Sequence, residues 1–167
     1  MRQSPHPSRV ISMSTLSKMI LLVEDNEDDE FALNRAIRKA GIDIPVRVVT
    51  DGQQAIDFLS SKTSLATTEQ DPLPFLILLD LKLPYRNGFE VLEWIRSQPH
   101  LADISIVILT GSDEACDRQR AQALGARSYL VKPASPDDIK RLLDLVSLSG
   151  LSGRSQDSGD ERSFFPC

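Results

Sequence analysis

Six carboxylates crowd into the seven residues from Glu24 to Glu30 (EDNEDDE), directly behind the apolar run MILLV. Two full charges 4 Å apart repel by about 4 kcal/mol even at an effective dielectric of 20. A nearby divalent cation reverses the sign of that problem. The run therefore divides in two. Glu24 and Asp25 stand just behind a strand, whereas Glu27, Asp28, Asp29 and Glu30 fall in the loop and first turn of a helix, where negative charge suits the N-terminus. A second acid, Asp80, follows the apolar run FLILL and precedes the turn LKLPYRNG. Asp25 and Asp80 are candidate hard oxygen ligands, with Glu24 contributing directly or through water, and magnesium favours such donors. A chain carbonyl near Lys82 is a further candidate for the same set. Asp80 is also the best nucleophile, because an aspartate can accept a phosphoryl group covalently. Lys132, in VKP behind another strand, can oppose the charge on transferred oxygens as a compact ammonium. Thr110 can offer its hydroxyl to a phosphate, or bond its own backbone. Tyr129 is either a core aromatic or a side chain that changes rotamer on switching.

These residues gain meaning from the elements that carry them. Residues 19–23 (MILLV) read as a buried strand and DEFALNRAIRKA as a helix, with Phe31, Leu33, Ile37 and Ala40 on or near one side and Gly41 at its end. IPVRVVT is a second strand, and Asp51-Gly52 turns into the short helix QQAIDFL. A long polar connection, residues 60–74, leads to the apolar strand PFLILLD. GFEVLEWI forms a third helix, with Phe89, Leu92 and Ile95 inward. ISIVILT is the fourth strand, SDEACDRQRAQAL a more polar helix ended by Gly125, and SYLV the fifth strand. SPDDIKRLLDLVSL closes the pattern, with Ser135 as cap, Pro136 in the first turn and Asp138 three residues after the cap. Cys116 is expected to pack against a helix, and Trp94 to anchor a helix face. Gly88 suits either a tight approach between loop and helix or a simple helix start.

Strands that are apolar throughout favour a parallel sheet covered on both faces by helices. The expected fold is a doubly wound (βα)5 α/β domain with a five-stranded parallel sheet. In such a sheet ligands gather beyond the carboxyl ends of the strands. Glu24, Asp25, Asp80, Thr110 and Lys132 all fall there, which outweighs any single acid.

The chain of 167 residues has 41% apolar and 26% charged residues, ordinary for a globular domain. A net charge of −5 argues against a surface that coats nucleic acid, and two cysteines without a CxxC pattern argue against a disulfide scaffold or thiolate zinc site. No apolar stretch reaches membrane-spanning length. The reading is a cytoplasmic protein with an N-terminal arm over residues 1–18, a domain over 19–148 and a flexible tail over 149–167.

The motifs ILLVEDN, LLDL around Asp80, Pro84 and Gly88 behind it, Val107 to Thr110, and YLVKP at Tyr129 to Pro133 resemble the receiver domain of bacterial two-component response regulators. The likeness covers about residues 19–148 and implies the flavodoxin-like fold with strand order 2-1-3-4-5. It implies Glu24 and Asp25 as acidic pocket, Asp80 as phosphoacceptor, Lys132 as phosphate contact, Thr110 and Tyr129 as switch pair, and the Lys82 carbonyl as backbone metal ligand. It further implies Mg2+, a histidine kinase as phosphoryl donor, autodephosphorylation in place of metabolic catalysis, and a conformational switch as output. A homodimer through the face of the fourth helix, fifth strand and fifth helix is part of the same expectation. NEDD, the connection 60–74 and LPYRNGFEVLEWIRSQPHLADISIVILTGS resemble single-domain receivers that work with bacterial phytochrome kinases. Ala134 departs from the aromatic often found after KP, and Gly111 from the hydroxyl-bearing residue common after the switch threonine. The alternative from another class is a non-phosphorylated α/β interaction module whose rim acids only cap and solubilise.

Overall fold

The computed structural model describes residues 18–62, 72–111 and 114–149. All but Lys18 of the expected arm, most of the polar connection, and the tail beyond Ser149 lie outside the described residues. Among the described residues, five strands and five α-helices alternate: β1 (Ile20–Val23), α1 (Glu27–Lys39), β2 (Val46–Val49), α2 (Gly52–Ser61), β3 (Leu76–Asp80), α3 (Gly88–Arg96), β4 (Ser105–Thr110), α4 (Ala115–Ala123), β5 (Ser128–Val131) and α5 (Pro136–Ser149). A 3-10 turn at Pro99–Leu101 joins α3 to β4. The strands form one parallel sheet in the order β2-β1-β3-β4-β5, the expected topology.

The apolar runs of the central strands β1, β3 and β4 have a simple cause. Successive side chains point to opposite faces, and both faces are covered. Leu21, Val23, Ile77, Leu79, Ile106 and Ile108 pack on one side with Ala55 and Leu59 of α2, Leu92 and Ile95 of α3 and Ala121 of α4. Ile20, Leu22, Leu76, Leu78, Val107 and Leu109 pack on the other with Leu33 and Ile37 of α1 and Ile139, Leu142 and Val146 of α5. Each fully buried aliphatic side chain stabilises by about 1.5–3 kcal/mol relative to exposure.

Local chemistry fixes the helix ends. Asn26 accepts hydrogen bonds from the backbone N–H groups of Asp28 and Asp29 and so caps α1. Asn87 and Glu90 form a reciprocal capping box at α3, and Ser135 and Asp138 form another at α5. Gly41 and Gly125 follow α1 and α4 with φ of +74° and +83°, the left-handed conformation that glycine adopts without strain.

Two packing expectations are corrected. Phe31 is 67% exposed, because the buried stripe of α1 is Leu33, Ala36 and Ile37, about half a turn away. Cys116 is exposed, because α4 buries only Ala121 against the sheet. Trp94 is half-buried against the core, as expected.

Candidate functional site

The carboxyl ends of β1, β3, β4 and β5 bring the predicted site together. In register, Val23 lies beside Leu79, Asp80 beside Leu109, and Thr110 beside Val131. Glu24 and Asp25 leave the end of β1, and the Glu24 N–H donates to the Val49 carbonyl at 3.0 Å. Asp80 is the last residue of β3 and is 5% exposed. Its Oδ1 accepts from the Lys82 N–H at 3.0 Å, so the turn after the strand orients the carboxylate. Lys132 follows β5, and its N–H donates to the Thr110 carbonyl at 2.8 Å. The Lys132–Pro133 peptide is cis.

Glu24, Asp25 and Asp80 each offer a carboxylate oxygen, and the three oxygens lie within 4.8 Å of one another. Asp25 is exposed while Glu24 and Asp80 are buried, so the cluster opens to solvent on one side. Such a set of hard oxygen donors fits a divalent cation of the magnesium or manganese kind. Lys132 balances the cluster from within. Its Nζ lies 2.7 Å from Asp80 Oδ2, 2.5 Å from Glu24 Oε2 and 3.0 Å from Asp29 Oδ2. Burial alone would lower the Lys132 pKa, but hydrogen bonds to Asp80, Glu24 and Asp29 outweigh it and hold the ammonium above its ordinary range. For Glu24, burial is the largest effect and raises its pKa, and the Asp80 charge adds to it. The bond from Lys132 opposes that rise only in part.

Thr110 is fully buried at the end of β4. Tyr129 is 7% exposed, belongs to the same core face as Ile108, and carries the Arg118 guanidinium 5.1 Å from its ring centre. In this conformation Tyr129 is packed within the core face. Lys82 is exposed, and its N–H is already tied to Asp80.

The loop between β3 and α3 is held tightly against its neighbours. Gly88 donates to the Leu81 carbonyl at 3.0 Å, and a Cβ at Gly88 would stand 2.2 Å from the Asp80 carbonyl oxygen. A Cβ at Gly52 would meet the Arg86 carbonyl oxygen at the same 2.2 Å. Of the two readings open for Gly88, close approach is correct.

Sequence reasoning misses one participant. Asp29 reads as one more acid in a helix first turn, yet it contacts Lys132 across 103 positions of chain. Nothing local distinguishes it from Asp28.

The family model for the response regulator receiver domain matches residues 20–144. The chain is 36% identical over 128 residues to the probable methanogenesis regulatory protein FilR2 of Methanothrix harundinacea, covering 77% of this chain and 80% of that protein. It is 35% identical over 126 residues to the response regulator Rcp1 of Synechocystis, covering 75% of this chain and 84% of Rcp1. Among solved structures, the bacteriophytochrome response regulator RtBRR superposes with a TM-score of 0.67 at 34% identity, over 87% of this chain and 86% of that one. The Mn(2+)-bound form of Rcp1 superposes with a TM-score of 0.62 at 32% identity, over 84% of this chain and 99% of that one. With the five-stranded fold and the acidic cluster at its carboxyl rim, these likenesses show that the chain belongs to the response regulator receiver domain family.

Proposed function

We propose that Asp80 is the phosphoacceptor of this receiver, that the donor is a phosphohistidine of a histidine kinase, and that Mg2+ is the cation held by Glu24, Asp25 and Asp80. The observation that carries the reading is the convergence at Asp80. A buried carboxylate at a rigid strand end has Lys132 Nζ 2.7 Å from Oδ2 and two further acids whose oxygens lie within 4.8 Å. An Asp80 carboxylate oxygen attacks the phosphorus, the P–N bond to the donor imidazole breaks, and a P–O bond to Asp80 forms. The chain's own contribution is positioning and electrostatics. Lys132 stands where negative charge gathers on the transferred oxygens, and the Lys82 N–H fixes the carboxylate. When bound, Mg2+ supplies charge neutralisation for the carboxylates and the phosphoryl oxygens, with the Lys82 carbonyl as a further ligand.

The same reading makes Thr110 and Tyr129 the switch. Thr110 turns its hydroxyl toward the phosphoryl group, and Tyr129 repacks within the face of α4, β5 and α5. That face then contacts a partner or a second copy of the chain. Likeness to the bacteriophytochrome response regulator RtBRR and the phosphorylated cyanobacterial phytochrome response regulator RcpA supports a phytochrome kinase as the partner, in the cytoplasm. No helix among the described residues is long and apolar enough to cross a membrane.

The test is intact-mass analysis after incubation with a small acyl phosphate. The wild-type chain gains one labile phosphoryl group with Mg2+ and none with a chelator, and Asp80→Asn gains none. An equal adduct on Asp80→Asn would remove the assignment. No adduct on the wild-type chain, with an acyl phosphate or with a cognate kinase, would favour the non-phosphorylated interaction module. Light scattering over a concentration series tests the dimer, and mass that stays monomeric with and without phosphorylation would refute it.

A further inference from the structure

An ammonium has three N–H donors, and those of Lys132 meet three carboxylates: Glu24, Asp80 and Asp29. The surroundings keep it there. Around it, Glu24, Asp29, Leu33, Leu109, Pro133 and Ala134 line a cleft of only about 20 Å³, room for one water at most. The small side chain of Ala134 forms part of this wall.

The three partners are not equivalent. Glu24 and Asp80 belong to the cluster whose oxygens lie within 4.8 Å, together with Asp25, and Asp29 does not. Asp29 sits in the first turn of α1, where its N–H donates to Asn26 Oδ1 at 3.1 Å, so a rigid element carries it. Its side chain is 43% exposed, against 2% for Glu24 and 7% for Asp80. If a cation draws Glu24 and Asp80 to itself, Asp29 is the one carboxylate left to hold the ammonium.

We infer that Asp29 is a positioning residue, which fixes Lys132 Nζ beside Asp80 while the other two carboxylates serve the cation. This rests on Asp80 being the phosphoacceptor. Asp29 touches neither the cation nor the phosphoryl group; it acts through Lys132. Without it, the ammonium loses the anchor on α1 and samples positions away from the transferred oxygens, so the phosphoryl-transfer step slows and cation binding does not change.

The experiment measures the rate of phosphorylation by acetyl phosphate at saturating Mg2+, and separately the Mg2+ affinity by calorimetry. Four chains are compared: wild type, Asp29→Asn, Asp29→Glu and Asp28→Asn. Asp29→Asn slows phosphorylation by about three- to tenfold, the share of one charge-assisted hydrogen bond on a half-exposed group, and leaves Mg2+ affinity within about twofold. Asp29→Glu keeps the charge and recovers the wild-type rate to within about twofold. Asp28→Asn removes the same charge one residue earlier, and its rate stays at the wild-type value. Three results would overturn the proposal alone: Asp29→Asn phosphorylated at the wild-type rate, Asp28→Asn slowed equally, or Mg2+ affinity falling in parallel with the rate. A wild-type chain that accepts no phosphoryl group would overturn the phosphoacceptor reading and this one with it.

Discussion

Replacing Gly88 by alanine tests how the loop behind Asp80 is held. The added Cβ would stand 2.2 Å from the Asp80 carbonyl oxygen, 2.8 Å from Leu81 Cα and 3.0 Å from the Asp80 carbonyl carbon. All three are backbone atoms, so no side chain can swing aside. Either α3 retreats or the end of β3 moves, and overpacking of this kind costs about 1–3 kcal/mol. Retreat also stretches the 3.0 Å bond from the Gly88 N–H to the Leu81 carbonyl, worth a further 0.5–1.5 kcal/mol or so. Against this, alanine gains at most about 1 kcal/mol over glycine in a helix. The net loss is about 1–3 kcal/mol, which moves a urea midpoint downward by about 1 M for a domain of this size. Urea unfolding followed by Trp94 fluorescence reads it. Gly111→Ala is the control, since a Cβ there meets nothing within 4 Å. A Gly88→Ala chain as stable as Gly111→Ala would refute the close-packed loop. The displacement also disturbs Asp80, so phosphorylation slows in Gly88→Ala and not in Gly111→Ala.

Two further outcomes follow from the charge arrangement. Lys132→Met leaves three carboxylates without their ammonium and lowers stability by on the order of 2–4 kcal/mol in chelator. Mg2+ restores most of that loss, as thermal unfolding with and without the cation would show, and a loss unaffected by Mg2+ would contradict the shared site. Asp138 is held below its ordinary pKa of 3.8, chiefly by its hydrogen bonds from the Ser135 hydroxyl and N–H. A carboxylate with a depressed folded pKa stabilises fully above its unfolded value, and that stabilisation disappears as pH falls through the folded value. Asp138→Ala therefore lowers the melting temperature at neutral pH, and its difference from wild type shrinks below about pH 4. A difference independent of pH would rule out this origin.

How far the sequence discloses the site depends on the range of each cause. Alternation of strands and helices is local, and so is the position of a residue at a strand end. Pattern alone therefore places Glu24, Asp25, Asp80, Thr110 and Lys132 on one rim. The expected strand order is also the one seen. Capping by Ser135 and Asp138 is legible for the same reason. What escapes depends on contacts between distant segments. Asp29 meets Lys132 only because β5 ends beside α1, and its neighbours in the run EDNEDDE carry the same charge. Arg96 bonds the carbonyls of Ala102, Ile104 and Gly125, tying α3 to the ends of two other connections without any sequence signal. Phe31 and Cys116 depart from expectation because apolar character alone does not reveal which side of a helix the sheet covers. Phe31 lies off the stripe of α1, and α4 has almost no stripe to read.

The central claim is that one carboxylate, that of Asp80, takes the phosphoryl group. Borohydride reduction of the phosphorylated chain, followed by peptide mass mapping, tests this most directly, because reduction converts an aspartyl phosphate to homoserine at the residue that carried it. Homoserine is expected at Asp80 and at no other position, formed only when Mg2+ was present during phosphorylation. Homoserine at Asp25, or an unreduced Asp80 in a chain that demonstrably carried phosphate, would contradict it.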